Sequence, residues 1–197
     1  MKYSTSMACH MFWFNETRNT AELFLTGKTE DEIREFAYKE NIYQVRTKER
    51  IRRILGVTIR RLNGLTDQLI GEIVKGDIET AKLIVLMSIM KSDVLFFEFM
   101  HEVFRPAIML GEKKVTNRAV NAFFDAKKAQ SNIVARWSEE SIERLKRCYP
   151  KMLFEAGVLN SIRGERNIKI PHIDYRVRKL ISDSQLTPYL TVITGEE

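Results

Sequence analysis

The sequence predicts an all-α fold, and three observations carry that expectation. Apolar residues recur at helical spacing along most of the chain. A Ser, Thr, Asp or Asn stands ahead of nearly every such stretch, and a Gly or polar turn follows it. The expected architecture is a compact multi-helix globule with helix–turn–helix-like units and room for a small β wing at 162–173.

Taken in order, Asn15 is placed to cap a first helix through Leu25, stopped at Thr26-Gly27. Thr29 and Glu32 have capping-box spacing for a second, to about Glu40, with Ile33, Phe36 and Ala37 on one face. A basic helix over Val45–Leu62 follows and ends at Asn63-Gly64. Thr66 caps a short helix to Lys75, and Gly76 stops it. Asp77 then caps a long apolar helix, which bends or breaks near Ser92-Asp93 and ends before Pro106. Gly111 to Lys114 reads as a turn. Thr116 caps a helix that faces Val120, Phe123 and Phe124 inward. Ser138 caps a last long helix to Ala156, with Gly157 at the C′ position and a stripe of Ile142, Leu145, Tyr149, Met152, Leu153 and Ala156. Pro150 inside it predicts a kink or register break. The run Ile162–Ile173 has no helical period and reads as a loop or short β-hairpin. Two short helices, from about Asp174 and from Thr187-Pro188, close the chain, with Gly195 ending the second.

No repeat, low-complexity tract or Ser/Gly linker divides the 197 residues, so residues 1–197 are expected to form one compact unit. Its sub-parts would be 1–65, helix–turn–helix-like with the basic helix, 66–110, the apolar core helices, and 111–197, winged-helix-like. The 44% apolar and 29% charged fractions are those of a soluble globular protein. Cys9 and Cys148 make no disulfide framework and read as buried, reduced thiols in a cytoplasmic protein. The N-terminal apolar run is broken by His10 and lacks a small-residue cleavage site. The apolar region Leu83–Leu110 is uninterrupted only as far as Met90, short of the roughly 20 residues a spanning helix needs.

Catalytic chemistry is hard to find. His10, His101 and His172 are far apart, and none has a Cys, Asp or Glu at metal-ligand spacing. Phosphate-binding glycine motifs and a nucleophile elbow are absent. The Met87, Met90, Phe96, Phe97, Phe99 and Phe104 cluster is better read as core than as a cofactor box. The chain is expected not to be an enzyme and to need neither cofactor nor metal, membrane nor small-molecule substrate.

Basicity, by contrast, is concentrated. Between Val45 and Leu62 stand Arg46, Lys48, Arg50, Arg52, Arg53, Arg60 and Arg61 against one acid, Glu49, a surplus equal to the chain's formal net charge of +6. On a helix, Ile51, Ile54, Leu55, Thr58, Ile59 and Leu62 share one face, while Arg46, Arg50, Arg53, Arg60 and Arg61 fall within an arc of about 100° opposite. A solvated face usually mixes signs; unrelieved guanidinium groups cost stability and suit phosphate oxygens. A weaker stripe, Arg144, Arg147 and Lys151, recurs at i, i+3, i+7, with Arg163, Arg166 and Lys169 on the proposed wing. Either basic helix can serve as the second helix of a helix–turn–helix, supported by Glu30–Glu40 in the first case and by the wing in the other.

The pattern resembles the BrxA family, the small helical component of BREX bacteriophage-defence systems. The resemblance starts at Tyr3-Ser4 and Glu16-Thr17-Arg18 and is strongest from Asn41-Ile42-Tyr43-Gln44-Val45-Arg46-Thr47 through Arg60-Arg61-Leu62-Asn63-Gly64-Leu65-Thr66. It continues through Gly76-Asp77, Phe99-x-x-Glu102-Val103 and Phe123-Phe124 to Leu153-x-x-Ala156-Gly157-x-Leu159, and so spans most of the chain up to about residue 160. It implies a non-enzymatic, all-helical DNA-binding accessory protein beside larger methyltransferase and ATPase components. It also implies a helical shape similar to antitermination RNA-binding proteins of the NusB type. Double-stranded DNA contacted through phosphates is the expected partner, with other defence-system proteins beside it. RNA binding and a protein-interaction scaffold stay open as alternatives.

Overall fold

The computed structural model describes residues 3–196, and helices account for most of them. After a 3₁₀ turn at Ser6–Cys9 come α1 (Phe14–Phe24), α2 (Glu30–Glu40), α3 (Lys48–Leu62), α4 (Asp67–Lys75) and α5 (Ile78–Ser92). Next are α6 (Val94–Phe99), a π-helical turn (Met100–Phe104), α7 (Arg105–Met109), α8 (Asn117–Gln130) and α9 (Asn132–Ala135). The chain finishes with α10 (Glu139–Glu155), α11 (Tyr175–Asp183) and α12 (Thr187–Thr194). No strand forms among the described residues.

Several helix starts follow directly from their capping residues. Thr29 and Glu32 close the reciprocal capping box of α2. Thr47, Asp77, Thr116, Ser138 and Asp174 each accept a first-turn backbone N–H. Gly157 and Gly195 take the left-handed conformation that ends α10 and α12.

Helix α5 holds the centre. Every residue from Leu83 to Met90 is buried, as a helix without a polar face requires. Around it, α4, α6, α8, α10, α11 and α12 contribute to one large core. Tyr149 of α10 sits among Phe96, Phe99 and Phe124, with ring centroids 5.0, 5.1 and 5.5 Å away. A second, smaller core lies under α1, α2 and α3, built on Trp13, Ile33, Ala37, Tyr43, Ile51, Ile54, Leu55, Val57 and Ile59. The buried hydroxyls of Thr20, Tyr43 and Thr58 satisfy one another there, Thr20 lying 2.7 Å from Tyr43 and 3.0 Å from Thr58.

Several expectations need correction, among them that for Cys9, which is exposed and not buried. Helix α1 is capped by Trp13 in a left-handed conformation (φ 49°), not by Asn15. Phe36 is 38% exposed, because Ile33 and Ala37 alone point into the small core. The helix expected to stop before Pro106 runs on to Met109. The π-helical turn widens the backbone just ahead of the proline, which lies in the first turn of α7 within a continuous helical stretch. Of the two forms expected for 162–173, the loop is the one present, tied down by two isolated antiparallel bridges, Lys114 with Asn167 and Leu159 with Ile168. Pro150, for its part, lies inside an α10 that continues through it to Glu155.

The segment from Tyr3 to Phe12 crosses the molecule as a strap, held by three polar side chains. The Tyr3 hydroxyl donates to Glu98 (2.8 Å), and the Cys148 thiol donates to the Met7 carbonyl (3.1 Å). Arg61, 2% exposed, donates from Nη1 to the Phe12 carbonyl (2.6 Å) and from Nη2 to the Met11 carbonyl (2.9 Å). Burial draws its pKa down to about 9, so it stays charged at neutral pH. Arg61 is therefore withdrawn from the candidate binding face: the strap covers the side of α3 on which it stands. Replacing Arg61 with Ala strands the buried Phe12 carbonyl, frees the partly buried Met11 carbonyl and leaves a cavity, and urea unfolding should show a loss of about 2–4 kcal/mol. Arg60→Ala, on the exposed face one residue away, should stay within about 0.5 kcal/mol of the parent.

Candidate nucleic-acid interface

Helix α3 begins one residue after Thr47, whose hydroxyl accepts the Arg50 N–H (3.2 Å). Arg46 thus precedes the helix and does not stand on it, so the arc expected for it with Arg50, Arg53 and Arg60 is not formed through a shared helix. The connection from Asn41 to Thr47 needs two left-handed residues, and Asn41 and Gln44 supply them without glycine. The Asn41 side chain fixes the turn by bonding both the N–H (3.1 Å) and the carbonyl (2.9 Å) of Val45.

Once α3 is packed on Ile51, Ile54, Leu55, Val57, Thr58, Ile59 and Leu62, the side chains left outside are nearly all basic. Arg46, Lys48, Arg50, Arg52, Arg53 and Arg60 are exposed. Among the described residues none of the six forms a salt bridge. Gly56 lies in the same helix with no other atom within 4 Å of where its Cβ would be. A mid-helix glycine costs about 1 kcal/mol against alanine, and no close packing here explains it. Helical spacing puts Arg52, Arg53 and Arg60 around it, so the face has a bare saddle rimmed by three guanidinium groups.

The second stripe is built differently. Arg144 pairs with Glu140 (2.5 Å), and Lys151 with Glu155 (3.7 Å). Arg147 Nε donates to the Glu143 carbonyl (3.2 Å), while Lys146, between them and unremarked in the sequence, pairs with the Glu143 carboxylate (2.8 Å). Arg163 and Lys169 are exposed; Arg166 is 6% exposed and donates to Asn117 Oδ1 (2.7 Å).

His10, on the strap, borders the second stripe. With Met11, Phe12 and Cys148 it lines a cavity of about 250 Å³ whose other wall is Arg144, Arg147, Lys151 and Glu155 of α10. Burial first, then the nearby charges of Arg61, Arg60 and Arg53, push its pKa down from 6.5 to about 4. A spacing argument could not find His10, since it reaches α3 and α10 only through the path of the strap. Among the described residues no group of His, Cys, Asp and Glu is arranged to hold a metal ion, and no helix is long and apolar enough to cross a membrane.

An all-helical protein with an unpaired basic helix face is what this geometry defines. The BrxA family's sequence profile matches residues 1–185. BREX protein BrxA of Bacillus cereus (strain H3081.97) is 40% identical over 194 residues, covering 98% of this chain and 97% of that one. The chain belongs to the BrxA family. A crystal structure of an uncharacterized protein from Magnetospirillum magneticum superposes with a TM-score of 0.84 over 99% of this chain and 100% of its own, at 20% identity, and shares the fold.

The depressed pKa of His10 has a measurable consequence. Between about pH 6.5 and 4 the unfolded chain holds a proton there that the folded chain refuses, so stability falls as pH drops through that window. Above it both states are neutral and the group contributes nothing. Urea midpoints at pH 7 and pH 5 should therefore fall further for the parent than for His10→Gln. Parallel losses would mean that His10 protonates freely in the fold.

Proposed function

We propose that the protein is a non-enzymatic accessory factor of BREX bacteriophage defence that binds double-stranded DNA through its phosphates. The observation that carries this reading is the unpaired basic face of α3. Six exposed cations without a carboxylate partner repel one another, and that cost is relieved when phosphates replace the missing acids. Membership of the BrxA family, and a relative named as a BREX protein, supply the biological setting.

Duplex is favoured over single strands by what the helix lacks. No Phe, Tyr or Trp lies between Val45 and Leu62, and single-strand binders usually stack bases on such rings. The saddle at Gly56 suits the close approach of a phosphodiester to the helix backbone. Contacts of this kind position a protein on DNA without reading its bases, so binding is tolerant of sequence.

In a gel shift at moderate salt, the protein should retard two unrelated duplexes of equal length about equally. A single strand and a structured RNA of that length should need several-fold more protein. Preferential retardation of the RNA would transfer the face to an RNA ligand. No retardation of any, with a nuclease-resistant protein complex recovered by pull-down, would make it a docking surface for an acidic protein.

A further inference from the structure

A cleft of about 670 Å³ opens between the first turns of α8, the middle of α10 and the loop from Ile162 to Arg166. Five cations line it, Lys146, Arg147, Lys151, Arg163 and Arg166, against one carboxylate, Glu143. The remaining polar lining is the pair of carboxamides of Asn117 and Asn121, and no aromatic ring is present.

Arg166 is the informative member. It is buried, its guanidinium donates to the neutral Asn117 carboxamide, and among the described residues it has no carboxylate partner. A buried charge is normally paired, because its desolvation is costly otherwise. Here the counter-charge is missing from a wall that four further cations share. The N-terminal end of α8, a helix of 14 residues, opens beside them and adds partial positive charge. The loop turns at Gly164 (φ +68°), where nothing lies within 4 Å of a Cβ position.

We propose that this cleft binds a run of linked phosphate groups, as in a nucleoside polyphosphate or a nucleic-acid strand. The volume exceeds that of one phosphate, and a lining without aromatic rings recognises the phosphates rather than a base. Arg166 and Arg163 form charge-assisted hydrogen bonds to the anion, and Lys146 turns from Glu143 toward it. The site is separate from the α3 face and stands or falls independently of duplex binding there.

Inorganic tripolyphosphate, which has neither base nor helix, is the direct probe. Calorimetric titration into the parent should show saturable binding of one equivalent, with a raised melting temperature at saturation. Lys146→Ala/Arg163→Ala, which changes two cleft side chains and spares the Arg166 contact to α8, should weaken that binding at least about tenfold. Arg52→Ala/Arg53→Ala/Arg60→Ala on α3 should leave it within about twofold, so failure of the duplex proposal does not touch this one. Displacement of tripolyphosphate by ATP at lower concentration than by DNA would identify a nucleotide as the source of the phosphates. The reverse order would identify a strand. Absence of saturable binding, or equal binding by the Lys146/Arg163 variant, would overturn the proposal.

Discussion

A helix with no polar side has to be enclosed, and α5 imposes that condition on the rest of the molecule. From Leu83 to Met90 it offers water nothing, so surrounding helices cover it on every side. Those helices spend their apolar faces inward and turn their charges outward. Helix α3 is the extreme case. Its inner face serves the small core, α1 packs against it, and its outer face retains cations without acids. Enclosure of α5 and exposure of the α3 arginines are thus two sides of one arrangement.

Arginine is used in three distinct ways on this scaffold. On α10 it is paired locally, as Arg144 is with Glu140 one turn away, and such an exposed pair is worth well under 1 kcal/mol. At Arg61 it is buried as a clamp on backbone carbonyls, holding the strap in place. On the outer face of α3 it is neither paired nor buried. That third use contributes nothing evident to folding, which is why duplex binding is assigned to this face. The strap carries His10 to the wall of α10, where burial and the arginine charges of α3 disfavour its protonation.

Much of this was legible in the sequence, and the reasons differ by element. Caps at Thr29, Asp77, Thr116, Ser138 and Asp174 are local chemistry, so the boundaries they set could be read directly, whereas the start of α3 falls at Thr47 and not at Val45. The split between the apolar and basic sides of α3 was readable from period alone. Arg61 was not, because whether an arginine at the edge of an arc faces water depends on a strap some fifty residues earlier in the chain. The π-helical turn before Pro106 was also out of reach, since tertiary packing rather than local propensity decides whether a helix widens or stops. Arg166 and Lys146 become neighbours of one cleft only when the 162–166 loop folds against α8 and α10.

The central claim is that the α3 arginines neutralise phosphates. Its most direct test is the salt dependence of duplex affinity for the parent and for Arg52→Ala/Arg53→Ala/Arg60→Ala. Alanine is a good helix former and the buried face is untouched, so the variant should keep its fold by circular dichroism. Each lost phosphate contact should lower the magnitude of the log–log slope by about 0.9, with weaker binding spread evenly over unrelated duplexes. A folded variant that binds with the parent's affinity and slope would contradict the account.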